Sequence, residues 1–231
     1  MHEEPKNNED RCPDSTPQAG CVITLDEMSY IEDGAFSNCT VLASITIPDS
    51  VMSIGHNAFR NCDSLTSVTI PSSVTSIGDC AFYGCSSLES IDIPDSVTRI
   101  GFDAFHNCYT LKNVTLSNHT KCIESGVFSG CCSLESINIP DSVTNIGDWA
   151  FSFCVALKST TIPAGVAGIG AFAFSGCTSL ERIDIPDSVV SIGENAFKCC
   201  TSLTSIRVPK HFDTADTAKW GLHDTCEIIW Y

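Results

Sequence analysis

Cysteine and histidine are the residues of this 231-residue chain whose side chains could do chemistry. Of its 15 cysteines, eight recur every 23 residues, so their side chains stack in one column and point the same way. That is poor geometry for disulfides between neighbours. We therefore predict buried free thiols that act as small apolar residues. The eight are Cys39, Cys62, Cys85, Cys108, Cys131, Cys154, Cys177 and Cys200.

The cysteines outside this column leave one pairing open. Cys12 and Cys21 lie close together in a polar N-terminal segment and would form a disulfide in a secreted protein. The odd total of cysteines and the absence of an apolar signal segment favour a reducing compartment instead. The sequence therefore leaves this disulfide undecided. On the same grounds it predicts an intracellular location.

Metal and nucleophilic chemistry are both disfavoured by spacing. His106, Cys108, His119 and Cys122 are of zinc-ligating type, but Cys108 belongs to the buried column and the spacing matches no zinc finger. The serines, histidines and carboxylates show no nucleophile–base arrangement. We expect no metal, no cofactor and no enzymatic activity.

The elements that position these residues belong to a 23-residue repeat without insertion or deletion. Each unit carries Ala-Phe-x-x-Cys-x-x-Leu, a spacing that suits one helical turn with its apolar side inward. An apolar-x-apolar-Pro step follows, as in Ile45-Thr46-Ile47-Pro48. Alternation points Thr46 outward on a short strand, and proline ends the strand. Each unit closes on Ile-Gly, where Gly55 suits a corner with positive φ.

A second period of 46 residues is superimposed on the first. The units that start at Leu88, Leu134 and Leu180 share the pattern Leu-Glu-x-Ile-x-Ile-Pro-Asp-Ser-Val. Because one unit cannot bury its own apolar side, the copies must stack. We predict a right-handed, β-rich repeat solenoid of about eight 23-residue coils, with one strand per coil and capped ends.

The full unit, Leu-x-x-Ile-x-Ile-Pro-x-Ser-Val-x-x-Ile-Gly-x-x-Ala-Phe-x-x-Cys, resembles the BspA-type leucine-rich repeat, also called the Treponema pallidum type. The resemblance covers about residues 20–208. It implies a leucine-rich repeat fold and a cell-surface or secreted protein of a bacterium or protist, linked to adhesion and protein binding. The family shares no catalytic residues, so the resemblance transfers none to this chain.

The ends of the chain differ from the repeat. Residues 1–19 are acidic and polar and are predicted to be a disordered segment. Residues 20–208 form the repeat array. Residues 209–231 are predicted to cap it with a short helix around 214–220 and a last strand in the apolar run 228–231, which would cover the exposed core and strand edge.

Charge excludes two classes of partner. The formal charge is -16, from 12 Lys and Arg against 28 Asp and Glu, which disfavours nucleic acid and anionic membrane surfaces. No apolar run reaches 18 residues, so no membrane insertion is expected. A protein or a glycan is the expected ligand, and the oligomeric state stays open.

The outward side chains of the predicted strands are the expected binding surface. They form a regular polar column across one broad face, which suits a partner that touches many coils at once. The alternative is a structural spacer or assembly subunit whose polar face is only solvated. The predicted contact residues are Thr69, Asp92, Thr115, Asn138, Thr161 and Asp184.

One coil departs from the pattern at residues 117–126. Ser117, Asn118, His119, Thr120 and Glu124 replace the usual Pro, x, Ser, Val and Gly. Such a coil would kink the rod, form a local site, or reflect drift at a tolerant corner. The sequence favours drift and does not exclude the other two.

Overall fold

The computed structural model describes residues 28–231. It is a parallel β-solenoid in which coils stack 23 residues apart, so that Ile45 lies beside Val68 and Ile54 beside Ile77. Each coil carries two strands, so the prediction of one strand per coil was wrong. The second strand is a two-residue step that ends in Ile, such as Ser53–Ile54, and it precedes the position of the closing glycine. It is too short to show alternation and forms through pairing with its neighbours.

The first strands of the coils present the apolar-x-apolar step. They are β1 (Ser44–Thr46), β3 (Ser67–Thr69), β5 (Ser90–Asp92), β7 (Asn113–Thr115), β9 (Ser136–Ile137), β11 (Ser159–Thr160), β13 (Arg182–Asp184) and β15 (Ser205–Val208). They join in the groups β1–β3, β5–β7, β9–β11 and β13–β15. Strand pairing therefore follows the 46-residue period of the sequence.

The second strands form another layer. They are β2 (Ser53–Ile54), β4 (Ser76–Ile77), β6 (Arg99–Ile100), β8 (Cys122–Ile123), β10 (Asn145–Ile146), β12 (Gly168–Ile169) and β14 (Ser191–Ile192). They form two sheets, β2–β4–β6 and β8–β10–β12–β14. The division between β6 and β8 falls in the irregular coil.

The residue after each second strand, which is glycine in every coil but one, explains this division. Gly55 and Gly78 do not have positive φ, contrary to the sequence prediction. A Cβ on Gly78 would instead lie 2.6 Å from the Gly55 carbonyl carbon, so the glycine allows the next coil to approach. Glu124 occupies this position in the irregular coil. Its Cβ prevents the same close approach, which accounts for the gap between the two sheets.

The Ala-Phe segments form hydrogen-bonded turns rather than helix. In the second coil, the amides of Asn57, Phe59 and Asn61 donate to the next coil at 2.7–2.9 Å. The amides of Arg60 and Cys62 close i→i−3 turns at 3.1 and 3.2 Å. Positive φ occurs here, at the residue before each Ala and the residue before each column Cys. We call the row of segments 33–38, 56–61, 79–84, 102–107, 125–130, 148–153, 171–176 and 194–199 the turn edge.

A ladder of phenylalanines fills the core beneath the turn edge. The rings from Phe36 to Phe197 stack at centroid separations of 5.1–5.7 Å. The column cysteines lie beside them and are fully buried or nearly so. From Cys62 onward each thiol donates to the phenylalanine carbonyl 26 residues earlier, as Cys108 Sγ does to Phe82 at 3.2 Å. Backbone acceptors thus satisfy the buried thiols.

The prediction of free thiols holds for seven of the eight column cysteines. Cys62 to Cys200 are free, and all are buried. Cys39 is disulfide-bonded, so for this residue the prediction was wrong. The column geometry forbids a bridge only to the neighbouring coil and says nothing about other cysteines. Cys12 and Cys21 lie outside the described residues.

Both ends of the array continue its pairing. At the first coil, Ile31 forms a parallel bridge with Ile54. At the other end a short helix, α1 (Thr214–Thr217), begins with a capping box between Asp213 and Asp216. The last strand, β16 (Glu227–Trp230), pairs with β15 and covers its edge. The helix is shorter than the predicted 214–220. The boundaries at residues 19 and 208 stay predictions.

Candidate functional site

The outward side chains of the first strands form one surface, which we call the strand face. All six predicted contact residues are exposed on it. Thr69, Asp92, Thr115 and Asp184 lie in strands, while Asn138 and Thr161 directly follow β9 and β11. The alternation along each strand produces this arrangement, because the residue next to an inward side chain points outward.

Polar contacts between neighbouring coils order the strand face. Thr115 Oγ1 donates to Asp92 Oδ1 at 2.7 Å. Lys158 Nζ lies 2.7 Å from Glu135 Oε2, and this hydrogen bond lowers the pKa of Glu135 and raises that of Lys158. Both pairs join residues 23 positions apart, so each connects equivalent positions of neighbouring coils.

A groove of about 770 Å³ lies at the end of the strand face next to the cap. It contains three of the predicted residues, Asn138, Thr161 and Asp184. The other three, Thr69, Asp92 and Thr115, lie on the same face but outside the groove. Further lining residues that the sequence prediction did not select are Arg182, Arg207 and Tyr231.

Tyr231 forms one wall of the groove. Its hydroxyl donates to the Ile185 carbonyl at 2.7 Å. The guanidinium of Arg207 lies 4.9 Å from its ring centroid, a cation–π contact. Desolvation raises the pKa of Tyr231. The last residue of the chain thus reaches back across the coils, because β16 pairs with β15 and continues the sheet.

The groove contains two guanidinium groups in an otherwise acidic protein. Arg207 Nη1 lies 3.8 Å from Asp184 Oδ2, so these two charges partly offset each other. Arg182 is exposed and makes no ion pair within residues 28–231. A planar guanidinium suits a carboxylate or another paired acceptor. The groove therefore offers hydroxyl, amide and cationic groups to a polar ligand.

The residues of zinc-ligating type are held by other partners. His106 Nδ1 lies 2.9 Å from Asp103 Oδ1, and His119 Nδ1 lies 2.9 Å from the Asp95 carbonyl oxygen. Cys108 is in the buried column. In the described part of the chain, no three His, Cys, Asp or Glu side chains are grouped to hold a metal ion.

The irregular coil is organised by Asp95 of the preceding coil. Its Oδ1 accepts from the Asn118 amide at 2.8 Å and from Asn118 Nδ2 at 3.2 Å. These bonds lower the pKa of Asp95. Ser117 and Thr120 are buried at the positions that proline and valine fill elsewhere. The coil is thus locally ordered, and these contacts are all within the protein.

The turn edge holds a feature that the sequence prediction missed. Trp149, Phe153 and Phe172 occupy its positive-φ positions, with φ of 60°, 57° and 56°. Trp149 and Phe153 are exposed. Other coils place mainly Gly, Asn or Asp at these positions. An alignment of the coils would have revealed the three aromatics, because they replace the Gly, Asn or Asp that most coils have at these positions.

Comparison with known proteins gives the family. The family described as "BspA type Leucine rich repeat region (6 copies)" matches residues 29–158 and 121–220. The chain belongs to this family, which confirms the resemblance seen in the sequence and the predicted leucine-rich repeat solenoid. No curated protein matches the chain.

Solved structures share the fold. The T. pallidum leucine-rich repeat protein TpLRR is 27% identical, with 89% of this chain and 85% of that chain covered and a TM-score of 0.57. A leucine-rich repeat protein from Bacteroides ovatus is 22% identical over 87% of each chain, with a TM-score of 0.51. Within residues 28–231 no helix has the length and apolar character to span a membrane.

Proposed function

We propose that this protein is a non-catalytic binding module whose strand face holds a partner protein in the groove beside the cap. The observation that carries the proposal is the convergence of Thr161, Arg182, Asp184 and Tyr231 in one groove. A groove across several coils lets one ligand contact many side chains at once. The family resemblance supports a role in surface recognition or adhesion.

The chemistry of the groove favours a polar ligand with acidic groups near its centre. Arg182 has no carboxylate partner in the described residues, so a ligand carboxylate would gain a bidentate pair there. Asp184 is already beside Arg207 and would contribute mainly to the charge pattern that steers association. A glycan bearing carboxylates meets the same groups, but the length of the polar face favours a protein.

The test is site-specific photo-cross-linking in living cells. A photoreactive amino acid at Thr161 should capture a defined partner, and Arg182→Glu should reduce that capture at least tenfold. The control is the same photoreactive residue at Thr144, which is exposed beside the second sheet. Equal capture from both positions, or capture from the chain ends alone, would favour the spacer hypothesis.

A charge reversal tests the steering role of the strand face. Asp184→Lys and Asp92→Lys should change the rate of association with the captured partner and its salt dependence, since exposed interface charges act mainly on the association rate. If the association rate were unchanged in both variants and in Arg182→Glu, the groove would not be the binding site.

A further inference from the structure

A stacked aromatic pair stands on the turn edge, away from the strand face. The rings of Trp149 and Phe172 are 4.2 Å apart at their centroids and inclined by 10°. Both residues adopt the left-handed backbone conformation, which disfavours large side chains. Glycine or asparagine would fit these positions with less strain, so the aromatic side chains are present against the local backbone preference.

One face of the indole is open. Phe172 belongs to the following coil and covers the other face of Trp149. The position of Trp149 in the preceding coil is taken by Gly126, which has no side chain. Trp149 is 44% exposed as a result. A ligand group can therefore lie flat against Trp149 above Gly126.

Two walls and a floor define what we call the slot. The floor is Ser125–Gly126, and the walls are Phe102–Asp103 on one side and Asp148–Trp149 on the other. The walls are two coils apart. The phenylalanine rings beneath them step by 5.7 Å per coil, so the walls stand about twice that distance apart. This leaves room for one planar or tetrahedral group between them.

The slot combines one carboxylate with an aromatic face. Asp103 leans over Gly126, because a Cβ added there would collide with its Oδ1. Asp148 Oδ1 accepts from the Ala171 amide of the following coil at 2.7 Å, so this carboxylate is turned away from the slot and Asp103 is the carboxylate that faces it. Segments 125–130, 148–153 and 171–176 contain no lysine or arginine. Three basic groups lie at the margins. His106 is hydrogen-bonded to Asp103, Arg99 Nη2 lies 3.8 Å from Asp79 Oδ1, which also accepts from the Phe102 amide, and Lys198 is in the last coil.

Charge complementarity therefore selects the occupant. A cation gains from the face of Trp149 and from the adjacent carboxylate of Asp103 at the same time. The formal charge of -16 adds a favourable long-range field. We infer that the slot binds an arginine or lysine side chain of a partner protein. This surface is separate from the strand-face groove and does not depend on it.

The test uses a short peptide with one arginine between glycines, blocked at both ends. Its control is the same peptide with citrulline, which keeps the planar shape and loses the charge. Binding is followed by the NMR signal of the Trp149 indole in the whole protein. The arginine peptide should shift that signal, and the citrulline peptide should bind at least fivefold more weakly.

Variants separate the slot from general attraction to an acidic protein. Trp149→Asn keeps the charge and places a residue that tolerates positive φ. Asp103→Asn removes the slot carboxylate, and Asp141→Asn removes an exposed carboxylate elsewhere. Isothermal titration should show at least fivefold weaker binding for the first two variants and less than twofold for Asp141→Asn. Thermal melts show whether each variant is folded.

Equal affinities for all three variants and wild type, or equal binding of the citrulline peptide, would overturn the slot. A failure of the Thr161 cross-linking experiment would leave these peptide results unchanged, because the groove is on the strand face. Likewise, Arg182→Glu should leave the peptide affinity within twofold of wild type. The two binding proposals can thus fail independently.

Discussion

The strand face and the turn edge are built from the same repeat but place different limits on their side chains. On the strand face, outward positions have extended backbone, and Thr69, Asp92 and Thr115 fit it without strain. On the turn edge, two residues of each coil have positive φ. Glycine and asparagine adopt that conformation most readily, whereas other side chains cost about 1–2 kcal/mol.

This difference changes what a side chain implies. A threonine on the strand face is what any short exposed strand would carry. A tryptophan at a positive-φ position is not explained by local structure, so another role must maintain it. The turn edge therefore gives a sharper functional signal than the strand face, although the strand face has the larger groove.

The largest expected effect is alkaline unfolding through the thiols beneath the turn edge. Burial raises the pKa of Cys62, Cys108 and Cys200 to about 12 from the ordinary value of 9.0. The unfolded chain loses these protons near pH 9 and the folded chain does not. Stability is therefore full below pH 9 and is lost as the pH rises from 9 towards 12. In this range each thiol lowers the free energy of unfolding by about 1.4 kcal/mol per pH unit.

Urea unfolding at pH 8, 9 and 10 would measure this dependence. Seven free column thiols should together lower the free energy of unfolding by several kcal/mol between pH 9 and 10. Cys108→Ala should reduce the decrease in the free energy of unfolding with pH by the contribution of one thiol. Amides of the turn edge should lose hydrogen-exchange protection before those of the strand face. Identical urea midpoints at pH 8 and 10 would contradict the assignment.

The next largest effect is expected in the buried phenylalanine ladder beneath the turn edge. Phe151 is fully buried and stacks on Phe128 and Phe174 at 5.7 and 5.3 Å. Phe151→Ala should lower the free energy of unfolding by about 3–5 kcal/mol, because it leaves a cavity. Chemical denaturation would show it. A loss under 1 kcal/mol would mean that the stacked rings contribute little to the stability of the core.

The sequence predicted the features of the fold that recur in every coil. The 23-residue period, the inward Ile45 and Ile47, the buried Phe and Cys columns and the closing strand were all visible as patterns. The second strand at Ser53–Ile54 was not predicted. Two residues have no detectable alternation, and the strand exists only because the same two residues of the next coil lie beside it.

Glycine shows why spacing alone was ambiguous. A repeat glycine indicates either positive φ or a close approach of two backbones. At Gly55 the cause is close approach, and positive φ falls at Asn57 and Asn61 instead. The chemistry of glycine is the same in both cases. Only the position of the neighbouring coil distinguishes them.

The sequence predicted which face of the solenoid holds the candidate site, but not the complete groove. Alternation identified Asn138, Thr161 and Asp184 as outward residues, and all three line the groove. The wall at Tyr231 depends on how the cap docks, which no repeat pattern specifies. The slot residues Trp149 and Phe172 were detectable in principle, because they depart from the Gly, Asn and Asp of their column.

The smallest expected effect is a change in the free energy of unfolding when asparagine is introduced. Its sign should be opposite on the turn edge and on the strand face. Phe153→Asn removes a largely exposed ring from a positive-φ position that Asn38, Asn61 and Asn107 occupy in other coils. We expect the free energy of unfolding to rise by about 0.5–1 kcal/mol, since relief of backbone strain outweighs the lost packing on Gly176. On the strand face, Thr69→Asn should lower it by about 0.5 kcal/mol, because asparagine is disfavoured in strands. Paired urea denaturation of the two variants measures both values against one wild type. If both variants lost stability equally, positive φ would carry no cost for an aromatic residue here, and the turn edge would lose its value as a functional signal.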